Sequence, residues 1–152
     1  NETTTAMISR TGEKTERYYY AQTINNEMLS FDHVFLNFTW ETTMTLLGKD
    51  SEENGDFNLL KHTVSVYPRI KSAEAERDAI IGILKDNNGY EGFMVVNYND
   101  PGLKQGNKVK VSFYHATKLL MYTKGVPSVV DLIDGTYEFD LENGEGRFII
   151  PF

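Results

Sequence analysis

The chain reads as a mainly β fold: an antiparallel β-sandwich or small barrel of about eight to nine short strands, with one helix (about 72–88) packed on it. Three observations predict this. Most segments alternate apolar and polar residues with a period of two, turn-forming residues recur between them at short intervals, and a single stretch near the middle carries helix signals instead.

Asn1 to about residue 16 is rich in Thr and charge with little apolar periodicity, and reads as a disordered polar lead-in to one β-rich domain over 17–152. Tyr18 to Ile24, with three consecutive tyrosines, reads as a first strand. From His33 to Leu47, Val34, Leu36, Phe38 and Trp40 alternate with polar partners. After the loop Gly48 to Asp56, Lys61 to Tyr67 alternates again, with His62, Val64 and Val66 on one face.

The helix expectation rests on several signals. Pro68 closes the preceding strand, Ser72 caps a first turn, and Glu74 and Glu76 suit its positive end. Ala73, Ile80, Ile83 and Leu84 fall on one side at helical spacing, Lys85 sits in the last turn, and Asn88-Gly89 supplies the exit. Gly82 weighs against this helix by about 1 kcal/mol relative to Ala.

Phe93 to Tyr98 is apolar on both faces, as a central strand covered on each side would be. Asn99-Asp100-Pro101-Gly102 is a turn, and Lys108 to His115 then directs Val109, Val111 and Phe113 inward. Leu119 and Met121 point inward in the next strand, which ends at Lys124-Gly125-Val126-Pro127, and Val129 to Ile133 is a short strand. Thr136 to Glu142, Asn143-Gly144 and Gly146 to Ile150 read as a hairpin with a type I′ turn. The expected core is Val34, Leu36, Phe38, Trp40, Val64, Val66, Ile80, Ile83, Leu84, Val95, Val109, Val111, Phe113, Tyr137, Phe139 and Phe148. Over Tyr18 to His115, the order of three strands, a helix and two strands is similar to the oligonucleotide/oligosaccharide-binding barrel. That likeness is one of topology and is carried by no motif.

Composition narrows the function classes. A net charge of −7 opposes generic nucleic-acid binding, because phosphates are repelled on average. No apolar run approaches the roughly 18 residues of a membrane span. With no cysteine, neither a disulfide framework nor a thiolate metal site forms. The nine tyrosines and nine phenylalanines supply the large buried areas that a 40% apolar chain needs. The polar lead-in fits a tether, which places the domain as secreted or at the cell surface.

The main candidate site is a basic strip. Between Pro101 and Val130 lie five lysines and no acidic residue. Alternation sets Lys108, Lys110 and Tyr114 on one strand face, and Lys118, Tyr122 and Lys124 on the next. Together these would form a ligand-binding surface for a glycan, an anionic group or a protein, with aromatic rings to stack and ammonium groups to neutralise. The alternative is a cross-strand charge ladder with the acidic face Glu138, Asp140 and Glu142.

The loop Asp50 to Asp56 partly resembles the EF-hand calcium loop in its oxygen ligands and its Gly55. It departs where Lys61 replaces the bidentate acid, so it reads as a solvated acidic loop. His33, His62 and His115 lie on separate strands, the last two on inward faces, and no spacing brings them together as metal ligands. Asn37-Phe38-Thr39 is a glycosylation sequon. No cofactor and no catalytic residue is implied. The expectation is a non-catalytic binding domain. A small hydrolase with a His/carboxylate site and a structural or assembly subunit are the alternatives.

Overall fold

The structure, a computed structural model, describes residues 6–49 and 63–152. It is mainly β, with ten strands in two sheets and one α-helix among the described residues. The helix does not lie at 72–88.

Helix α1 spans Glu16–Phe35, where the tyrosine run suggested a strand. Tyrosine favours strands only when a sheet receives it. Here local partners close the helix instead: the Tyr20 hydroxyl donates to Glu16 at 2.6 Å and Thr23 donates to the Tyr19 carbonyl at 3.0 Å. Phe31, Val34 and Phe35, spaced at i, i+3 and i+4, gather on one side against the sheet. The helix kinks at Phe31, whose φ of −130° and ψ of 17° are not helical. Ahead of it, residues 6–15 form a tight loop closed by an Ile8–Lys14 bridge.

Residues 72–88 instead supply most of β3 (Ile70–Ala75) and all of β4 (Ala79–Asp86), joined by a corner that carries the chain from one sheet to the other. Ala79, Ile81 and Ile83 are buried on one face of β4 and Leu84 on the opposite face. A strand covered on both sides loses its alternation, and the remaining apolar spacing mimics a helix. The corner itself is held from a distance. The Asn107 amide donates to the carbonyls of Arg77 and Asp78 at 3.0 and 3.1 Å, and its oxygen accepts the Arg77 N–H at 2.9 Å. Asp78 accepts the Gly48 N–H at 2.9 Å.

The larger sheet runs β2-β1-β4-β5-β10-β7-β8, where β1 is Phe38–Leu46, β2 is Thr63–Val64, β5 is Glu91–Asn97, β7 is Lys118–Thr123, β8 is Val126–Asp131 and β10 is Gly146–Pro151. Its pairs are antiparallel except β1 with β2. The smaller sheet runs β3-β6-β9, with β6 at Asn107–Phe113 and β9 at Thr136–Leu141, all antiparallel.

The main core lies between the sheets. Ile81, Ile83, Phe93, Val95, Leu119 and Ile149 meet Val109, Val111, Phe113, Phe139 and Leu141, with the Phe93 and Phe113 rings 5.3 Å apart. The inward positions expected on β6 and β7 are therefore as the alternation indicated, and β5 is a central strand covered on each side, as its apolar faces implied. On the other face of the larger sheet, Leu84, Tyr122 and Phe148 pack under Phe31. The result is three layers: helix, seven strands, three strands. Gly92 permits this second core, since a Cβ there would fall 2.6 Å from the Phe148 ring.

Three expected core residues are surface residues. Leu36 and Val66 are 77% and 79% exposed, and Trp40 is 50% exposed. A register shift between Trp40 and Thr42 changes which face β1 turns to the core, so that Met44 and Leu46 are buried there instead. The expected C-terminal hairpin is also corrected. β9 and β10 belong to different sheets, and Asn143-Gly144 turns the corner between them with only Gly144 at positive φ, 68°. The two-residue hairpin turn lies at Lys124-Gly125, with φ of 49° and 78°, between β7 and β8. With the helix first and two sheets, the element order does not follow the oligonucleotide/oligosaccharide-binding barrel.

Candidate functional site

The lysine strip does not form one surface. Lys108 and Lys110 stand on β6 in the smaller sheet, while Lys118 and Lys124 lie on β7 and its turn in the larger one. Every one of the four has a carboxylate within reach: Lys108 to Glu138 at 3.7 Å, Lys110 to Glu74 at 3.9 Å, Lys118 to Asp131 at 3.5 Å and Lys124 to Glu142 at 2.9 Å. Glu74 also holds Lys49 at 3.3 Å. This is the charge ladder, drawn from β3 and β8 as well as from the expected C-terminal acidic segment. Tyr114 is 46% exposed as expected, but Tyr122 is 7% exposed and packs under the helix. The exposed aromatic pair that the strip required is absent.

His33 and His115 lie on separate elements, α1 and the turn after β6. His33 is exposed beside Asp32 at 3.9 Å, and His115 is exposed at a turn with φ of 54°, not on an inward face. His62 and the Asp50 to Asp56 loop lie outside the described residues. Asn37 of the sequon is exposed, its amide donating to the His33 carbonyl at 2.7 Å. His33 and Asp86 share an open cleft of about 380 Å³ with Asn37, Asn88 and Tyr90. Asp86 is occupied there: one carboxylate oxygen accepts the N–H groups of Asn88 and Tyr90 at 2.9 and 2.7 Å, fixing the β4–β5 turn.

A denser polar group sits at the mouth of the main core. The Tyr67 hydroxyl lies 2.7 Å from Glu91 and 3.1 Å from Glu41, while Arg69 approaches Glu91 at 4.0 Å and Lys85 approaches Glu41 at 3.4 Å. Burial first, then the hydrogen bonds and charges of Glu91 and Glu41, push the Tyr67 phenol far above its ordinary range. With two acids, two bases and a tyrosine packed on Phe93, the group is charge-balanced and ties β1, β4 and β5 to the segment before β3.

The feature with spare binding capacity is α1. Of its 20 residues only Phe31 is buried. Tyr20 and Ile24 lie at helical spacing on the Phe31 side yet are 60% and 59% exposed, and Tyr19 and Leu29 are 54% and 65% exposed. The helix crosses the β7–β8 turn so closely that a Cβ on Gly125 would overlap the Ser30 hydroxyl. Beyond that crossing a groove of about 370 Å³ opens between helix and sheet. Ile24, Met28 and Phe31 form one wall, Met94, Tyr122 and Phe148 the floor, and Glu27, Lys124 and Glu145 the rim. That volume falls at the lower end of the range for ligand and anchor pockets, roughly 300–1,000 Å³. Glu142, as hydrogen-bond partner and by its charge, with Glu145 and Glu27 behind it, holds the Lys124 ammonium charged above the usual lysine range.

Sequence reasoning missed this surface because it took α1 for a strand. The Phe31, Val34 and Phe35 spacing was the available signal. No family model, no curated protein and no solved structure matches the chain.

Proposed function

We propose that the protein is a non-catalytic interaction domain that holds a protein partner with α1 and the groove beneath it. The supporting observation is the unburied apolar stripe of Tyr20 and Ile24, continuous with Met28 and Phe31 over an apolar cavity. Contiguous exposed apolar surface with tyrosines and a polar rim is the composition of a protein-binding patch. The charge-paired lysine strip does not support the anionic-ligand form of the reading.

The test uses a photo-crosslinking side chain placed in turn at Tyr20, at Leu29 and, as control, at Glu138 on the outer face of the smaller sheet. One discrete protein adduct should form from the two α1 positions and not from Glu138. Ile24→Glu should abolish the adduct formed from Tyr20. Equal adducts from Glu138, or none from α1, would overturn the reading.

A further inference from the structure

The charge around the groove specifies what enters it. Three carboxylates and two cations stand near the rim. Arg147 binds Glu145 at 2.9 Å, with both side chains largely buried, and Lys124 binds Glu142 at 2.9 Å. Glu145 is further fixed by accepting the Glu142 N–H at 2.7 Å. These pairs are closed. Glu27 makes no direct ion pair among the described residues, and its influence on Lys124 ranks behind those of Glu142 and Glu145. It lies on the helix between Ile24 and Met28, one turn from Phe31, so its carboxylate borders the apolar wall. The site thus joins an apolar groove to a surplus of one negative charge among the described residues, on a chain of net charge −7.

We infer that the groove takes an apolar side chain of the partner protein that is immediately flanked by a lysine or arginine. The inference rests on the reading of α1 as the contact surface. An acidic flank would add to the one carboxylate that the closed pairs leave over, and a neutral flank would leave Glu27 beside the apolar wall with only the longer-range charge of Lys124. The aliphatic or aromatic anchor would lie on Met94 and Phe148 and close against Ile24 and Met28. Methionine at two of the lining positions suits anchors of differing shape, because its unbranched thioether repacks readily.

The methionines also report on the site. Met28 and Met94 line the groove, Met44 and Met121 are buried between the sheets, and Met7 is 55% exposed on the N-terminal loop. With all five labelled as ¹³C-methyl, the protein is titrated with acetyl-Ile-Leu-Arg-amide and, separately, with acetyl-Ile-Leu-Glu-amide. Met28 and Met94 should shift saturably while Met44, Met121 and Met7 stay in place. The Arg peptide should bind about threefold more tightly, the scale of one exposed charge pair. Glu27→Gln should erase that difference while keeping the methyl shifts. If both peptides move Met28 and Met94 with equal affinity, the basic flank is overturned and the α1 contact surface stands. If neither moves them, or if Met7 moves in step, groove occupancy is overturned, and the crosslinks decide the α1 surface separately.

Discussion

Phe31 stacks on Tyr122 with ring centroids 5.1 Å apart and 25° between the planes. Phe148 lies 6.2 Å from each ring, and Phe38 meets Phe148 edge-on at 5.2 Å. This aromatic cluster makes a helix out of a tyrosine-rich segment and takes Tyr122 away from the solvent face of β7.

Phe31→Ala should cost about 3–5 kcal/mol, the range for truncating a buried aromatic. The loss removes the one fully buried residue of α1, so helical circular dichroism should fall before the β signal in a urea titration. Coincident loss of both signals would show that α1 is held by more than this contact.

Gly125→Ala should destabilise by about 1–3 kcal/mol, because an L-residue is strained at its φ of 78° and the new methyl meets Ser30. Ser30 shares its hydroxyl proton between the Glu27 carbonyl at 2.5 Å and the Gly125 carbonyl at 3.1 Å. Gly125→Ala combined with Ser30→Gly should therefore recover the part due to overlap with Ser30 and leave the backbone strain together with the 2.8 Å approach to the Glu27 carbonyl. Chemical denaturation of the single and double variants separates the two.

The lysine ladder should be worth little. Lys108, Lys110, Glu74 and Glu138 have side chains about half exposed, so coupling between Lys110 and Glu74, or between Lys108 and Glu138, should stay below about 1 kcal/mol in double-mutant cycles and shrink with salt. Coupling well above that value would assign the smaller sheet's outer face a larger electrostatic role.

Tyr67→Phe should cost about 1–3 kcal/mol at neutral pH, since Glu91 loses its hydroxyl donor in a half-buried setting. The pH dependence follows from the raised phenol. A group whose folded pKa lies above its unfolded value stabilises fully below the unfolded value, here about 10. That contribution is lost as pH rises toward the folded value. The stability gap between the native protein and Tyr67→Phe should therefore be flat below about pH 9 and narrow above about pH 10. A gap that stays constant through pH 11 would contradict the assignment.

Truncation should also separate true core from surface. Phe93→Ala and Phe139→Ala should each lose about 3–5 kcal/mol, and Val66→Ala, 79% exposed in the native chain, less than about 0.5.

Legibility followed the distance of the deciding partners. Val109, Val111 and Phe113 alternate with lysines, so β6 carries its own face assignment, and Leu119 and Met121 do the same for β7. The run from Ile80 to Leu84 carries none, because it is covered by the smaller sheet on one side and helps form the aromatic cluster on the other. The turn dipeptides behaved likewise. Asn143-Gly144 marked a reversal but not whether the next strand stays in the same sheet, which β10 settles by pairing with β5 and β7. The lysines were visible as a strip, yet Glu74, which holds Lys110, lies on a strand whose adjacency to β6 no local pattern encodes.

From the sequence alone followed the mainly β class and the inward faces of strands exposed on one side, since each depends on period-two patterning within a few residues; the one helix was expected at 72–88, where the chain forms β3 and β4. The placement of that helix at Glu16–Phe35, the Asn107 clamp that splits β3 from β4, the burial of Tyr122 and the groove under α1 were decided by contacts between segments as many as 117 residues apart, the separation of Phe31 and Phe148. Local propensities differ by about 1 kcal/mol or less per residue, while burying one aromatic ring is worth several, so where the two conflict the packing chooses the structure.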